Sequence, residues 1–329
     1  MNISVVIPYF QREPNILKRA LTSVLRQRLS EDVSVQIMVV DDGSPWPAQA
    51  EADGLSFTPQ FHLTIITQEN AGAGAARNTA LNAIGPNSTY VAFLDSDDAW
   101  NEDHLEQGVR ALQAGYDFYF CDNQRVDYHS SHFAACYPQI LNFADAPFQN
   151  CCAEIPIDAL VDALPKCFPT QASTIIFRRD ILADLRFDHS LRSAGEDVLF
   201  FTQLVAKARR ACFSTRVMVE CGKGVNIYFS NFHWDSPARL AIIQDHIVAL
   251  SLIIQRVRLA PDTRKWLENQ IASYKRDFVF HSLRHFAKRR TIPPELFRMA
   301  SGRMWYPLWF SLTAAQIAIS MPLGLYRPR

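Results

Sequence analysis

The sequence predicts an α/β protein: a mostly parallel sheet with helices on both faces. Three observations carry that expectation. Short β-branched runs alternate with helical patterns through roughly the first third of the chain. One apolar run, Val91 to Leu94, stops abruptly in three acids out of four residues, Asp95, Asp97 and Asp98. Polar motifs also follow the earlier apolar runs, which puts chemistry at the carboxyl ends of strands, where open sheets bind ligands.

Ile3–Ile7 reads as the first strand, and a core strand so near Met1 argues against a cleaved leader. Asn15–Arg28 reads as a helix, because Ile16, Leu17, Ala20, Leu21, Val24 and Leu25 recur at helical spacing. Val35–Val40, His62–Thr67, Tyr90–Leu94 and Phe118–Cys121 are further strands, with helices at Gly74–Ile84 and Glu102–Ala114. This βαβα order favours parallel pairing. From Asp122 to Pro169 five prolines (138, 147, 156, 165 and 169) interrupt the pattern, and an irregular insertion over the sheet is expected. Regularity returns with a strand at Ala172–Phe177, a helix at Ala194–Ala208 and a strand at Ala211–Val219.

A boundary near Ser236 divides the chain into residues 1–235, the α/β domain, and residues 236–329, a helical C-terminal region. Ala238–Arg258, Pro261–Arg290 and Pro293–Ala300 read as its helices. At 48% hydrophobic and 20% charged the chain is globular rather than disordered. Its net charge is zero, yet Pro237 to Arg303 carries 13 Lys and Arg against 5 Asp and Glu. An acidic body with a basic tail suits a polyanion or an anionic membrane surface, and nothing calls for nucleic acid. Segment 304–326 has no charged residue and gathers Trp305, Tyr306 and Trp309 at one end. It reads as an interfacial helix in preference to a packed helix or a true span. Nearby Lys288, Arg289, Arg290, Arg298 and Arg303 would add attraction to anionic lipid. The seven cysteines contain no CxxC pair, which argues against zinc and for free thiols in a reducing cytoplasm.

Carboxylates crowded at a strand end repel one another unless something neutralises them, and hard oxygen ligands suit Mg²⁺ or Mn²⁺. The plainer reading makes Asp97 or Asp98 a helix cap. Four companion motifs occupy what should be the same sheet edge: Pro8-Tyr9-Phe10 with Glu13, Asp41-Asp42-Gly43-Ser44, Asn70-Ala71-Gly72 leading to Arg77, and Gly195-Glu196-Asp197. Asp41, Arg77 and Asp95 could converge there on a nucleoside diphosphate. Gly72-Ala73-Gly74-Ala75-Ala76-Arg77 is not a dinucleotide fingerprint: it follows the third strand and ends in Arg. The chain also lacks a GxxxxGK[ST] loop. An aspartyl-phosphate nucleophile would be expected after the first strand, not at Asp95.

The pieces SVVIPYFQRE, VVDDGS, NAGAGAARNTAL, FLDSDDAW and GEDVLF, in this order over about two thirds of the chain, resemble the family 2 inverting glycosyltransferases of GT-A fold. The block CGKGVNIYFS is similar to exopolysaccharide glucosyltransferases of the succinoglycan-assembly type. The resemblance implies a UDP-sugar donor, with UDP-glucose favoured, and a lipid-linked oligosaccharide or other oligosaccharide acceptor at the inner face of the cell membrane. It implies that Asp41 binds the uracil, with Pro8, Phe10 and Glu13 lining the nucleoside pocket. Arg77 would brace the acids, Asp95 and Ser96 would face the ribose or sugar, and Asp97 would ligate Mn²⁺ or Mg²⁺. Asp197 would be the general base, with Glu196 its rival. The QxxRW motif of processive members is absent. Phe232-His233-Trp234 is the nearest candidate, and His233 is either a further metal ligand or a structural or acceptor-stacking residue. Single-sugar addition is therefore expected. Two other classes stay open on sequence: a nucleotidyltransferase using the same crevice, and an inactive sugar-nucleotide-binding protein.

Overall fold

The computed structural model describes residues 1–127, 130–144, 152–223, 238–289, 291, 295, 306–320 and 328. The chain divides into two compact units. The first is Met1–Arg192 with Glu196–Asn226 and Val257–Leu259; the second is Ser193–Gly195 with Ile227–Arg256 and Ala260–Arg329.

The first unit is a nine-stranded mixed sheet. Its strands are β1 (Asn2–Tyr9), β2 (Ser34–Asp41), β3 (Phe61–Thr67), β4 (Tyr90–Phe93), β5 (Ala99–Trp100), β6 (Phe118–Arg125), β7 (Ala153–Ile155), β8 (Ile175–Arg178) and β9 (Ala211–Cys221). They lie in the order β3-β2-β1-β4-β8-β6-β9-β5, with β7 on β9. β1 to β4 pair in parallel, β8 runs antiparallel to both neighbours, and β9 is parallel to β6. The chain moves outward from β1 to β3 and then crosses back to β4, so the topological switch point lies between β1 and β4.

Strand alternation explains why the runs are apolar throughout: successive side chains feed opposite faces, and helices cover both. Val5, Ile7, Val39 and Ala92 pack with helices Ile16–Leu25 and His104–Gln113. Val6, Val40 and Phe93 pack with Ala73–Ala83, Ile157–Cys167 and Glu196–Val205. The expectation of an irregular stretch over 122–169 is corrected. β6 continues to Arg125, and Ile157–Cys167 is a helix that buries Leu160, Val161 and Leu164. Pro156 sits at its N-cap and Pro165 in its last turn, so neither proline interrupts the buried face. Strand β8 is also shorter than expected, because Ala172–Thr174 forms a 3-10 turn first. Cys121, Cys152, Cys212 and Cys221 are buried free thiols, whereas Cys136 is exposed.

In the second unit, helix Arg239–Arg256 packs along Pro261–Arg289 through Leu240, Ile243, Ile247 and Phe278. The third helix described there, Tyr306–Ser320, has 15 residues, about 22 Å at the helical rise, short of the roughly 30 Å of a bilayer core. No helix among the described residues is long and apolar enough to cross a membrane.

His104 is wholly buried against the Trp100 ring, with centroids 4.7 Å apart, and burial lowers its pKa from 6.5 to about 3. The unfolded chain therefore takes up a proton that the folded chain refuses, and stability falls as pH drops below the ordinary value. Denaturant titrations should lose roughly 1 kcal/mol per pH unit from this group between about pH 6 and pH 4. His104→Phe should remove that part of the slope, and an unchanged slope would contradict the assignment.

Candidate active site

The site is built first from loops held by carboxylates that accept backbone N–H groups. Tyr9 and Asp41 end β1 and β2 side by side in register. Asp41 Oδ1 accepts from Ser44 N and Oδ2 from Ala48 N, both at 2.8 Å, which closes the turn at Gly43, whose φ is +68°. Asp42 gathers the next loop: Oδ1 accepts from Gln68 Nε2 and Ala71 N, and Oδ2 from Gly72 N. Glu51 reaches back to accept from Asn15 N and Lys18 N at the start of helix Ile16–Leu25. The Ser44 hydroxyl donates to Gln11 O and accepts from Gln11 N, so the β1 and β2 loops are stitched together. Of the residues expected to line a nucleoside pocket, Pro8 is buried within β1, Phe10 is half-buried, and Glu13 is exposed.

Across the switch point the buried Gln11 Nε2 donates to Ser96 Oγ at 3.1 Å, joining the β1 lip to the acidic turn after β4. β4 stops at Phe93, so strand alternation does not orient Asp95 and Asp97. A tight turn does so instead, with Asp98 N donating to Asp95 O. Asp98 is not the cap of the following helix, whose N-cap is Asp103. It lies buried, accepting from Ser173 Oγ at 2.6 Å and from Gly222 N at 2.9 Å. Ser173 Oγ also accepts from Asp95 N. Burial, then Asp97 and Asp95, push the Asp98 carboxyl up to about 8. Arg19 donates to Asp97 O. Gly222 passes so close that a Cβ there would land on that same carbonyl oxygen.

Helix Ala73–Ala83 supplies the counter-charge. Arg77 is 5% exposed and donates to Asp95 Oδ1 at 2.7 Å, with Glu196 Oε1 3.9 Å from its Nη1 and the Phe187 ring 5.4 Å away. Its neighbour Asn78 donates to Phe187 O and accepts from Phe187 N. Phe187 stacks on Phe200 at 3.9 Å, and Phe93 packs edge-on against both. That aromatic block sets helix Glu196–Val205 so that Glu196 and Asp197, in its first turn, face the Arg77 side of the crevice. Burial, then Asp197, raise Glu196 to about 7; burial also raises Asp197, against the opposing pull of Arg77.

The structure thus brings Asp95, Asp197, Glu196 and Arg77 together, with Ser96, Asp97 and Asp98 in the adjoining turn. Lys223 is paired with Asp127, and Arg192 donates to Asn70 O. His233 and Trp234 lie outside the described residues. Gln11, Asp42, Glu51, Ser173, Phe187 and Gly222 were not legible as site residues. Asp42 was signalled only by standing beside Asp41, and Gly222 by the CGKG block; Ser173 had no signal.

The acidic turn fits a hard divalent cation. Asp95 is matched by Arg77, while burial, with Asp97 and Asp95 beside it, makes a negative charge on Asp98 costly without further positive charge. Among the described residues no group of three or more His, Cys, Asp or Glu is placed to hold a metal. One or two carboxylates of the turn, with substrate phosphates and water completing the shell, would suffice for Mg²⁺ or Mn²⁺.

Asp98→Asn should accept from Gly222 N through its amide oxygen and donate its NH₂ to Ser173 Oγ, and unfold in urea within about 1 kcal/mol of the parent. Asp98→Ala should cost roughly 1–3 kcal/mol, because the Ser173 hydroxyl and Gly222 N–H lose their acceptor. Equal stability of the two variants would remove Asp98 from that structural position.

The glycosyl transferase family 2 profile matches residues 4–154. The succinoglycan biosynthesis protein ExoW of Rhizobium meliloti (strain 1021) is 31% identical over 323 residues, 96% of this chain and 98% of ExoW. Residues 1–349 of S. aureus TarS, solved with UDP-GlcNAc, superpose with a TM-score of 0.58 at 20% identity, covering 87% of this chain and 73% of that one. The mannosyltransferase PcManGT of Pyrobaculum calidifontis, solved with GDP-Man and Mn²⁺, gives 0.53 at 19% identity, covering 99% and 81%. The two solved structures establish the GT-A fold, while the near end-to-end alignment with ExoW at 31% identity and the profile match establish more: the chain belongs to glycosyl transferase family 2 and is a glycosyltransferase.

Proposed function

We propose that the protein moves a single hexose from a UDP-sugar, with UDP-glucose favoured, to a hydroxyl of a lipid-linked oligosaccharide during exopolysaccharide synthesis. The observation that carries the reading is the Arg77 junction, where the Asp95 turn and the Glu196–Asp197 pair meet at the switch-point edge of the sheet. Similarity to a succinoglycan biosynthesis protein supports the pathway class, and the UDP-GlcNAc complex of TarS supports a UDP donor.

In this reading the loops after β1 and β2 take the nucleoside. Asp41 accepts from the uracil N–H through lone pairs its two backbone bonds leave over, and Pro8, Phe10 and Glu13 border the base. Asp95 and Ser96 face the ribose and sugar. Asp97 holds Mn²⁺ or Mg²⁺ with the donor diphosphate, in keeping with the Mn²⁺ complex of PcManGT. The metal, when bound, supplies Lewis-acid stabilisation of the departing diphosphate. Asp197 removes the acceptor hydroxyl proton as that oxygen attacks the anomeric carbon. One displacement from the face opposite the leaving group inverts the configuration. An Asp197 pKa raised by burial brings the base closer to working pH, which favours proton transfer. Arg77 opposes that rise at Asp197 while holding Asp95 in place.

A UDP-release assay across UDP-glucose, UDP-galactose, UDP-GlcNAc and GDP-mannose, with Mn²⁺ or Mg²⁺, tests the donor. Asp97→Ala should abolish metal-dependent UDP release. Asp197→Asn should lower kcat by about 10²–10⁴ while leaving UDP affinity within roughly threefold. Full turnover in Asp197→Asn would exclude it as the base.

The second unit is read as the membrane-facing region at the inner side of the cell membrane. Leu283, Phe286 and Leu312 are exposed there, and Lys288 and Arg289 end helix Pro261–Arg289. Apolar side chains beside cations suit an anionic lipid surface. Deleting residues 304–329 should lower co-sedimentation with anionic vesicles at least fivefold, and undiminished binding would remove the tail from that role.

A further inference from the structure

A cavity of about 650 Å³ lies on the first unit, walled by helix Ile16–Leu25, strand β5 and the segment Asn101–Asp103. The helix has two working faces. Leu17, Ala20, Leu21 and Val24 enter the core. Lys18, Arg19, Thr22 and Arg26 recur at helical spacing on the other side and line the cavity. Arg28 and Arg216 complete its basic wall.

Five cations therefore converge on one concavity in a chain whose net charge is zero. Two acids, Glu102 and Asp103, share the lining, and they engage Arg28 and Arg216. Arg19 is held by Asp97 O and Glu220. Among the described residues, the Lys18 and Arg26 side chains have no acid in ion-pair range and are exposed. The walls are fixed in place: Gln27 Nε2 donates to Asn101 O, Arg28 N to Glu102 O, and Leu105 N to Gln27 Oε1. A rigid concavity with unneutralised cations is prepared for an anion, because like charges held together gain most from a ligand of opposite sign. Its size falls within the roughly 300–1,000 Å³ of small-molecule sites. Guanidinium forks match phosphoryl oxygens, and an ammonium adds a point charge.

We propose that this cavity is a phosphoryl-binding site separate from the donor crevice, with Lys18 and Arg26 as its principal ligands and Arg19 as its inner wall. The group bound is a phosphate or diphosphate ester. It comes either from a soluble phosphorylated compound or from a lipid headgroup. The site does not depend on the donor or acceptor assigned above.

Calorimetry of the full-length protein with inorganic pyrophosphate, in EDTA so that metal-dependent binding in the donor crevice is silent, tests this directly. Lys18→Gln/Arg26→Gln should weaken binding at least tenfold. Lys166→Gln/Lys207→Gln, which removes the same charge elsewhere on the unit, should change it less than twofold. Co-sedimentation with phosphatidic acid vesicles, against phosphatidylcholine, separates the sources. Vesicle binding that is lost in Lys18→Gln/Arg26→Gln assigns the site to a headgroup. Pyrophosphate binding lost in that variant, with vesicle binding no weaker than the parent's, assigns it to a soluble ligand. Retention of both in that variant, equal losses in the two double variants, or binding of neither probe by the parent protein overturns the proposal. Unchanged thermal midpoints, expected because both side chains are exposed, keep a folding defect from imitating the loss.

Discussion

The buried guanidinium of Arg77 is the interaction on which the rest of the site depends. A charge taken out of water at this depth is tolerable only when acids meet it in fixed geometry. Asp95 comes from the turn after β4, and Glu196 from a helix about a hundred residues further along. One cation thus locks together two pieces of chain that share no secondary structure. It does not balance them, however. Burial is the main cause that raises Asp98, Glu196 and Asp197, and the neighbouring acids add to it. A site in this condition favours whatever brings further positive charge.

Around this junction the architecture assigns carboxylates two kinds of work. Asp41, Asp42 and Glu51 face inward to backbone N–H groups and shape loops. Asp95, Asp97 and Asp197 stand at the crevice. The first group makes the second possible, because strand ends on a parallel sheet have no hairpin to hold them. Gln11, bridging to Ser96, joins the two lips where the strand order reverses, so the crevice is framed by side-chain bonds as well as by the sheet.

Strand positions were legible because each buried strand is a short β-branched run, and helices because apolar residues recur at the right period. Helix Ile157–Cys167 escaped detection because its prolines read as breaks, whereas Pro156 stands at its N-cap and Pro165 falls only in its last turn. β5, with two residues, is too short to carry any period. The acidic turn was visible as a cluster, but the division of labour within it was not. Asp97 and Asp98 look alike in sequence, and only Ser173 and Gly222, 75 and 124 residues beyond Asp98, separate a crevice acid from a buried bracket. Such pairings follow from topology, and no local pattern encodes them.

The close passage of Gly222 over the Asp97 carbonyl has a consequence for how the chain matures. The family profile ends at residue 154, yet the groups that finish the acidic turn (Ser173, Glu196 and Gly222) all emerge later in synthesis. A nascent chain bearing the whole signature stretch would still hold Asp98 without its partners. Closing so long a loop comes late, since contacts distant in sequence carry the larger entropic toll before they stabilise anything. The acidic turn is among the first chemical features to leave the ribosome and among the last to take its final shape.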